Sequence, residues 1–183
     1  MHLEIRRKLR NDSDIIRVLI RIGPTLAKLG RHNEASATMN EAIELAKKRE
    51  LPRVLGSCYS QLIVVHEEAR QLKEARKAFD AALRLYEPIG LHLEIADASL
   101  DLGLAEAELG DSTRALLLLE DSVEIYRKFE RKAKLAKALK LLGRLQRDLG
   151  LETAHMTFIE CAQLFEDIDQ PEEAGVVRAM LTN

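Results

Sequence analysis

A chain of 183 residues that is 46% hydrophobic can bury a sizeable core, and its 32% charged residues sum to a formal net charge of only −2. That balance gives no general attraction to nucleic acid or to an anionic membrane. Four prolines and nine glycines leave little punctuation for sheets and turns, so a composition led by Ala, Leu, Glu, Lys and Arg points to an all-α protein.

The N-terminal stretch MHLEIRRKLRNDSD has no apolar core of secretory type, and no apolar run is long enough to span a bilayer. Cys58 and Cys161 fit no metal or redox spacing. A soluble, reduced, cytoplasmic protein is expected.

In chain order, the apolar spacing predicts helices at 14–29, 33–49, 53–69, 72–88, 92–109, 112–129, 132–149 and 152–168. Asn11, Asp12, Ser13 and Asp14 are N-cap candidates for the first of these. Pro24 lies within that helix and is expected to kink or weaken it. Gly30, Gly110 and Gly150 follow first helices where a left-handed residue is needed, while Arg70 stands at that place in the second unit, so a strained turn is expected there. Pro171 opens a last short helix.

These helices form a repeat of about forty residues. Ile5, Leu45, Leu85, Ile125 and Leu164 make one column, and Ala35, Ala75, Ala115 and Ala154 a second. Met39, Phe79, Leu119 and Phe158 make a third, and Ala42, Ala82, Ser122 and Cys161 a fourth. Ile22-Gly23, Leu62-Ile63, Leu102-Gly103 and Leu142-Gly143 form a paired column. Self-similarity at this period is the mark of a solenoid. The small residues belong where two helices approach closely, and the larger ones fill the space between units. The repeats are expected at 14–49, 53–88, 92–129 and 132–168, with a partial helix or cap at 1–10 and another at 171–181. Either the end pieces are caps or the chain is a slice of a longer array, with the balance toward a slice.

At these columns the sequence resembles the tetratricopeptide repeat, whose signature runs Leu-Gly, an aromatic, then Ala-x3-Phe and a further Ala. Leu102-Gly103, Ala115-x3-Leu119 and Ser122 carry it in one unit. Tyr59, Leu62, Ala75-x3-Phe79 and Ala82 carry it in another, and Leu142-Gly143 with Ala154-x3-Phe158 in a third. The period is forty rather than thirty-four, and the aromatic is replaced by Leu26, His66, Glu106 and Gln146. In length the units are similar to variants in kinesin light chains and in the sensor regions of large bacterial regulators. The resemblance implies a right-handed solenoid of antiparallel helix pairs that binds proteins or peptides and is not an enzyme.

No catalytic or metal constellation is present, because the five histidines sit at unrelated points of the repeat and every glycine is isolated. No cofactor is expected. Cys161 occupies the Ala column and reads as a small buried residue. The resemblance places a concave groove along the first helices: Arg17, Ile20, Arg21, Pro24 and Lys28; then Ser57, Ser60, Gln61, Val64 and Glu68; then Asp97, Leu100, Asp101, Leu104 and Glu108; then Lys137, Lys140, Leu141, Arg144 and Arg147. An acidic patch thus adjoins a basic one. Either these charges pair across neighbouring helices at under about 1 kcal/mol each, or they orient a peptide of matching charge. A chaperone-tail clamp is excluded, since its cation positions hold Ile20, Asp97 and Asp101.

The expected function is a protein-interaction scaffold within a larger signalling or regulatory protein. The alternative is a self-assembly module that buries open ends, marked by Leu3 and Ile5 at one and Val176, Val177 and Leu181 at the other.

Overall fold

The computed structural model describes residues 2–181, with side chains from Asp12 onward. Among the described residues there are nine α-helices and no strand: α1 (His2–Lys28), α2 (His32–Lys48), α3 (Pro52–Glu68), α4 (Leu72–Tyr86), α5 (His92–Leu109), α6 (Ser112–Lys128), α7 (Lys132–Asp148), α8 (Thr153–Asp167) and α9 (Pro171–Ala179). A 3-10 turn, Glu87–Ile89, follows α4. From α2 onward the helices start and stop within two residues of the ranges read from the sequence. The chain is an all-α solenoid.

Two compact units divide inside α5, residues 1–102 and 103–183. In the first, α1 packs on both α2 and α3, α2 on α3, and α3 on α4. In the second, α6 packs on α7, α7 on α8, and α8 on α9. The repeat columns supply the core: Ala35, Ala75, Ala115 and Ala154, their neighbours Met39, Phe79, Leu119 and Phe158, and Ala42, Ala82, Ser122 and Cys161 are all buried.

The helix ends follow a second rule, of period twenty. At Gly30, Glu50, Arg70, Gly90, Glu130, Gly150 and Asp169 the backbone turns left-handed, with φ between 51° and 75°. After each, the next amide bonds back to a carbonyl five residues earlier, as Gln71 does to His66 at 2.8 Å and Leu151 to Gln146 at 2.8 Å. This is the Schellman ending, which satisfies the last carbonyls of a helix. Four of the seven residues are not glycine, at roughly 1–2 kcal/mol each. The strain expected at Arg70 is therefore shared by Glu50, Glu130 and Asp169.

Gly110 departs from this rule. It is not left-handed, and its amide makes an ordinary helical bond to Glu106 at 3.0 Å. The turn is made instead by Asp111, which is extended and accepts bonds from the amides of Thr113 and Arg114 at 3.0 and 3.1 Å. The second helices α2, α4 and α8 have no such side-chain cap. An Asp cap redirects the chain by itself, so the glycine is not forced left-handed.

The expected break before residue 14 is absent. Helix α1 runs through residues 11–14 and through Pro24. Asp12 does not cap; its Oδ2 accepts a bond from Arg49 Nε at 2.6 Å, joining α1 to the end of α2 in a mostly buried ion pair. The side chains of Leu3, Ile5 and Asn11 lie outside the described residues.

The column where the family has an aromatic is apolar at Leu26, which packs on the core, and a polar lock in the other three units. His66 Nδ1 meets Gln71 Oε1 at 2.9 Å, the fully buried Glu106 meets Arg114 at 3.2 Å, and Gln146 Oε1 accepts from Thr157 at 2.7 Å. Each bond ties a first helix to the turn or helix after it, and at Glu106 and Gln146 it satisfies polar groups that burial would otherwise penalise.

Candidate functional site

In α5 and α7 the same local spacing builds two facing walls. Residues three and four apart share a helix face, so Leu104 lines up with Glu108, and Leu141 with Arg144, Leu145 and Asp148. Between them lies a depression of about 310 Å³, bounded by these side chains and by Arg147 and Leu119. It falls wholly within the second unit.

Two glycines shape this depression. A Cβ on Gly103 would lie 3.0 Å from Leu119 Cδ2, so its absence lets α6 approach α5. A Cβ on Gly143 would lie 2.7 Å from Phe158 Cε1. Phe158 occupies that space, and the Arg147 guanidinium stands over its ring at 5.8 Å. A cation over an aromatic face is attracted to it, so a missing side chain on α7 helps aim an arginine on the same helix. Arg144 is exposed and meets no acidic side chain among the described residues. Leu104 and Leu141 are half-buried. The arrangement is a half-apolar floor with a rim of mixed charge, Arg144 and Arg147 beside Glu108 and Asp148, with Arg147 Nε 3.8 Å from Asp148.

The sequence-derived groove residues are not all available. Leu104, Leu141, Arg144, Arg147 and Glu108 come together in this depression. Lys140 is occupied by Glu173 of α9, Nζ to Oε2 at 2.8 Å, and that bond holds the Glu173 carboxyl below the usual range. Lys137 is exposed on α7. In the first unit, Arg17 is exposed and pairs with Asp14 at 3.0 Å, while Ile20 packs against the α1–α2 core. Ser60 is a correction. It is 7% exposed and its hydroxyl meets Tyr86 Oη at 3.2 Å, because a phenol at full burial needs a partner. Ser57, half-buried, lies 3.5 Å from the same phenol. Gln61, Val64, Asp97, Leu100 and Asp101 are half-buried.

Gly56 and Tyr86 were not anticipated as a pair. None of the repeat columns given above includes either residue, and the glycine that admits the ring stands six residues before Leu62. Burial raises the Tyr86 phenol pKa, opposed by its hydrogen bonds with Ser57 and Ser60.

Among the described residues, no group of three His, Cys, Asp or Glu side chains is placed to hold a metal. Cys58 and Cys161 are free and buried, and desolvation pushes each thiol up to about 12. No described helix is long and apolar enough to cross a membrane.

Two tetratricopeptide-repeat models match the chain, one over residues 55–128 and one over 16–49, together well over half of it. The Arabidopsis thaliana protein KINESIN LIGHT CHAIN-RELATED 3 is 28% identical over 121 residues, covering 63% of this chain. The chain spans only 18% of that relative's length. Among solved structures, BtubC (BKLC) from P. vanneervenii superposes with a TM-score of 0.64 at 19% identity, covering 98% of this chain and 87% of the other. A candidate kinesin light chain from Podosopora anserina with nearly identical TPR-like repeats gives 0.57 at 17%, covering 91% and 93%. These likenesses show the fold. The chain belongs to the tetratricopeptide-repeat family, whose arrays are generally non-catalytic scaffolds for protein partners.

Proposed function

We propose that this array holds a peptide, or an extended segment of a partner protein, in the depression between α5 and α7. The observation that carries it is Arg144: an exposed guanidinium with no acidic partner among the described residues, set beside Leu104, Leu141 and Leu145. A carboxylate there gains a charge-assisted bond while the neighbouring aliphatic side chain leaves water. Arg147, over Phe158 and 3.8 Å from Asp148, is a second donor already ordered in place. The proposal extends to a place in a larger regulatory protein in a reducing cytoplasm, which two free buried thiols suit.

The test is to enrich peptides from a displayed random library on the immobilised chain, then titrate them against wild type, Arg144→Glu and Leu141→Asp. Affinity at least tenfold weaker in both variants, roughly 1.4 kcal/mol, with melting unchanged, is expected. Enriched peptides that bind all three chains equally would remove the site.

A further inference from the structure

Helix α1 exposes a face that other first helices cover. Its Ile15, Val18, Ile22 and Leu29 lie three, four and seven residues apart, on one stripe. In α3 the same columns hold Leu55, Cys58, Leu62 and Ala69, all buried or half-buried, and α3 packs against α2. In α7 they hold Leu135, Ala138 and Leu142, buried where α7 packs against α6, and only the last, Leu149, is exposed, at 44%. In α9 they hold Ala174 and Val177, buried, and α9 packs against α8. In α1 the four side chains are 36%, 54%, 42% and 68% exposed. A depression of about 340 Å³ opens among Val18, Ile22 and Leu26. Arg21 lines it, exposed Lys28 follows seven residues on along the same helix, and neither meets an acidic side chain among the described residues. The complement is a helix with an apolar stripe and acidic flanks.

The chain carries such a helix. The outer face of α8 shows Met156 and Ile159, 67% and 43% exposed. The matching places in the other second helices hold Ala37 and Asn40, Lys77 and Asp80, and Leu117 and Glu120. The repeat therefore does not require two large apolar side chains there. A depression of about 740 Å³ runs beside them, edged by Glu160 and Asp167. Charge separates the same way along the sequence: residues 1–31 hold eight Lys and Arg against three acids, and residues 150–183 hold one against seven.

We propose that the α1 stripe of one copy docks on the outer face of α8 of a second copy, with Arg21 and Lys28 set against Glu160 and Asp167. Glu160, half-buried, already meets Arg127 at 2.8 Å and exposed Asp167 meets Lys132 at 3.8 Å, so the incoming cations join a network. The contact uses two different patches, so it is heterologous, and its charge component weakens with salt.

Sedimentation velocity of the full 183-residue chain, from micromolar to near-millimolar, tests it. Association is expected, at least tenfold weaker at about 0.5 M salt than at about 0.05 M. Arg21→Glu with Lys28→Glu abolishes it, and so does Glu160→Lys with Asp167→Lys. Mixing the two variants restores it, because each supplies the face the other has lost. Val18→Ser and Met156→Ser give the same pattern of loss if a charge reversal lowers the melting temperature. A chain monomeric throughout overturns the proposal, as does association that survives the α8 reversal or a mixture that stays monomeric.

Discussion

Tyr86 fills the space that a side chain on Gly56 would occupy. A Cβ built on Gly56 lies 2.8 Å from Tyr86 Cζ and 3.0 Å from Cδ1. The ring has nowhere to retreat, since it is 1% exposed and its hydroxyl is engaged by Ser60 and Ser57. One repeat earlier the same two columns hold Ile16 and Ala46, both buried. Large on the first helix with small on the second becomes the reverse, and the shared volume is conserved.

Gly56→Ala is accordingly expected to lower stability by about 1–3 kcal/mol, despite alanine's better helix propensity. Gly175→Ala in α9 is the opposite case, with nothing within 4 Å of its Cβ. It should raise stability by about 0.5–1 kcal/mol. Urea denaturation midpoints at constant slope check both signs, and a destabilised Gly175→Ala would contradict the packing described for α9.

The left-handed helix ends make a second pair of expectations. Arg70→Gly removes a Cβ at φ 56° and should stabilise by about 1 kcal/mol. Gly110→Ala sits where no left-handed turn is made and should not lose stability, whereas Asp111→Ala should cost about 1 kcal/mol through loss of the α6 cap. Thermal and urea unfolding of the three variants measure this directly.

The two thiols predict an alkaline dependence. Burial raises the folded pKa of Cys58 and Cys161 to about 12, above the ordinary value of 9.0. A raised folded pKa means stability fully present below pH 9 and lost as pH climbs through about 12, because the unfolded chain ionises first. Cys58→Ala with Cys161→Ala should flatten the fall in stability across that interval relative to wild type. In the native state at neutral pH neither thiol should react quickly with a disulfide reagent, and both should react in denaturant.

Much of the fold is legible in the sequence because the repeat states each core position four times. Ala35, Ala75, Ala115 and Ala154 identify one another, and the helices follow from the columns. What the repeat does not average is harder to read. The run through Asn11–Asp14 carries the local marks of a helix start, yet Asp12 is engaged by Arg49, a partner thirty-seven residues away. Glu50, Glu130 and Asp169 give no local sign of a left-handed turn, since the Schellman bonds that impose it come from the next residue's amide. Gly110 gives a false sign, because Asp111 does the turning. For the groove, helical spacing alone cannot tell Ser60, turned onto Tyr86, from Arg144, turned to solvent. That distinction depends on the neighbouring helix.

The direct measurement of the central claim is a titration of the isotope-labelled chain with an enriched peptide, followed by amide shifts. Shifts centred on Leu104, Glu108, Leu141 and Arg144, and absent in Arg144→Glu, are expected. Shifts centred on α6 or α8, with Arg144→Glu responding as wild type does, would contradict it.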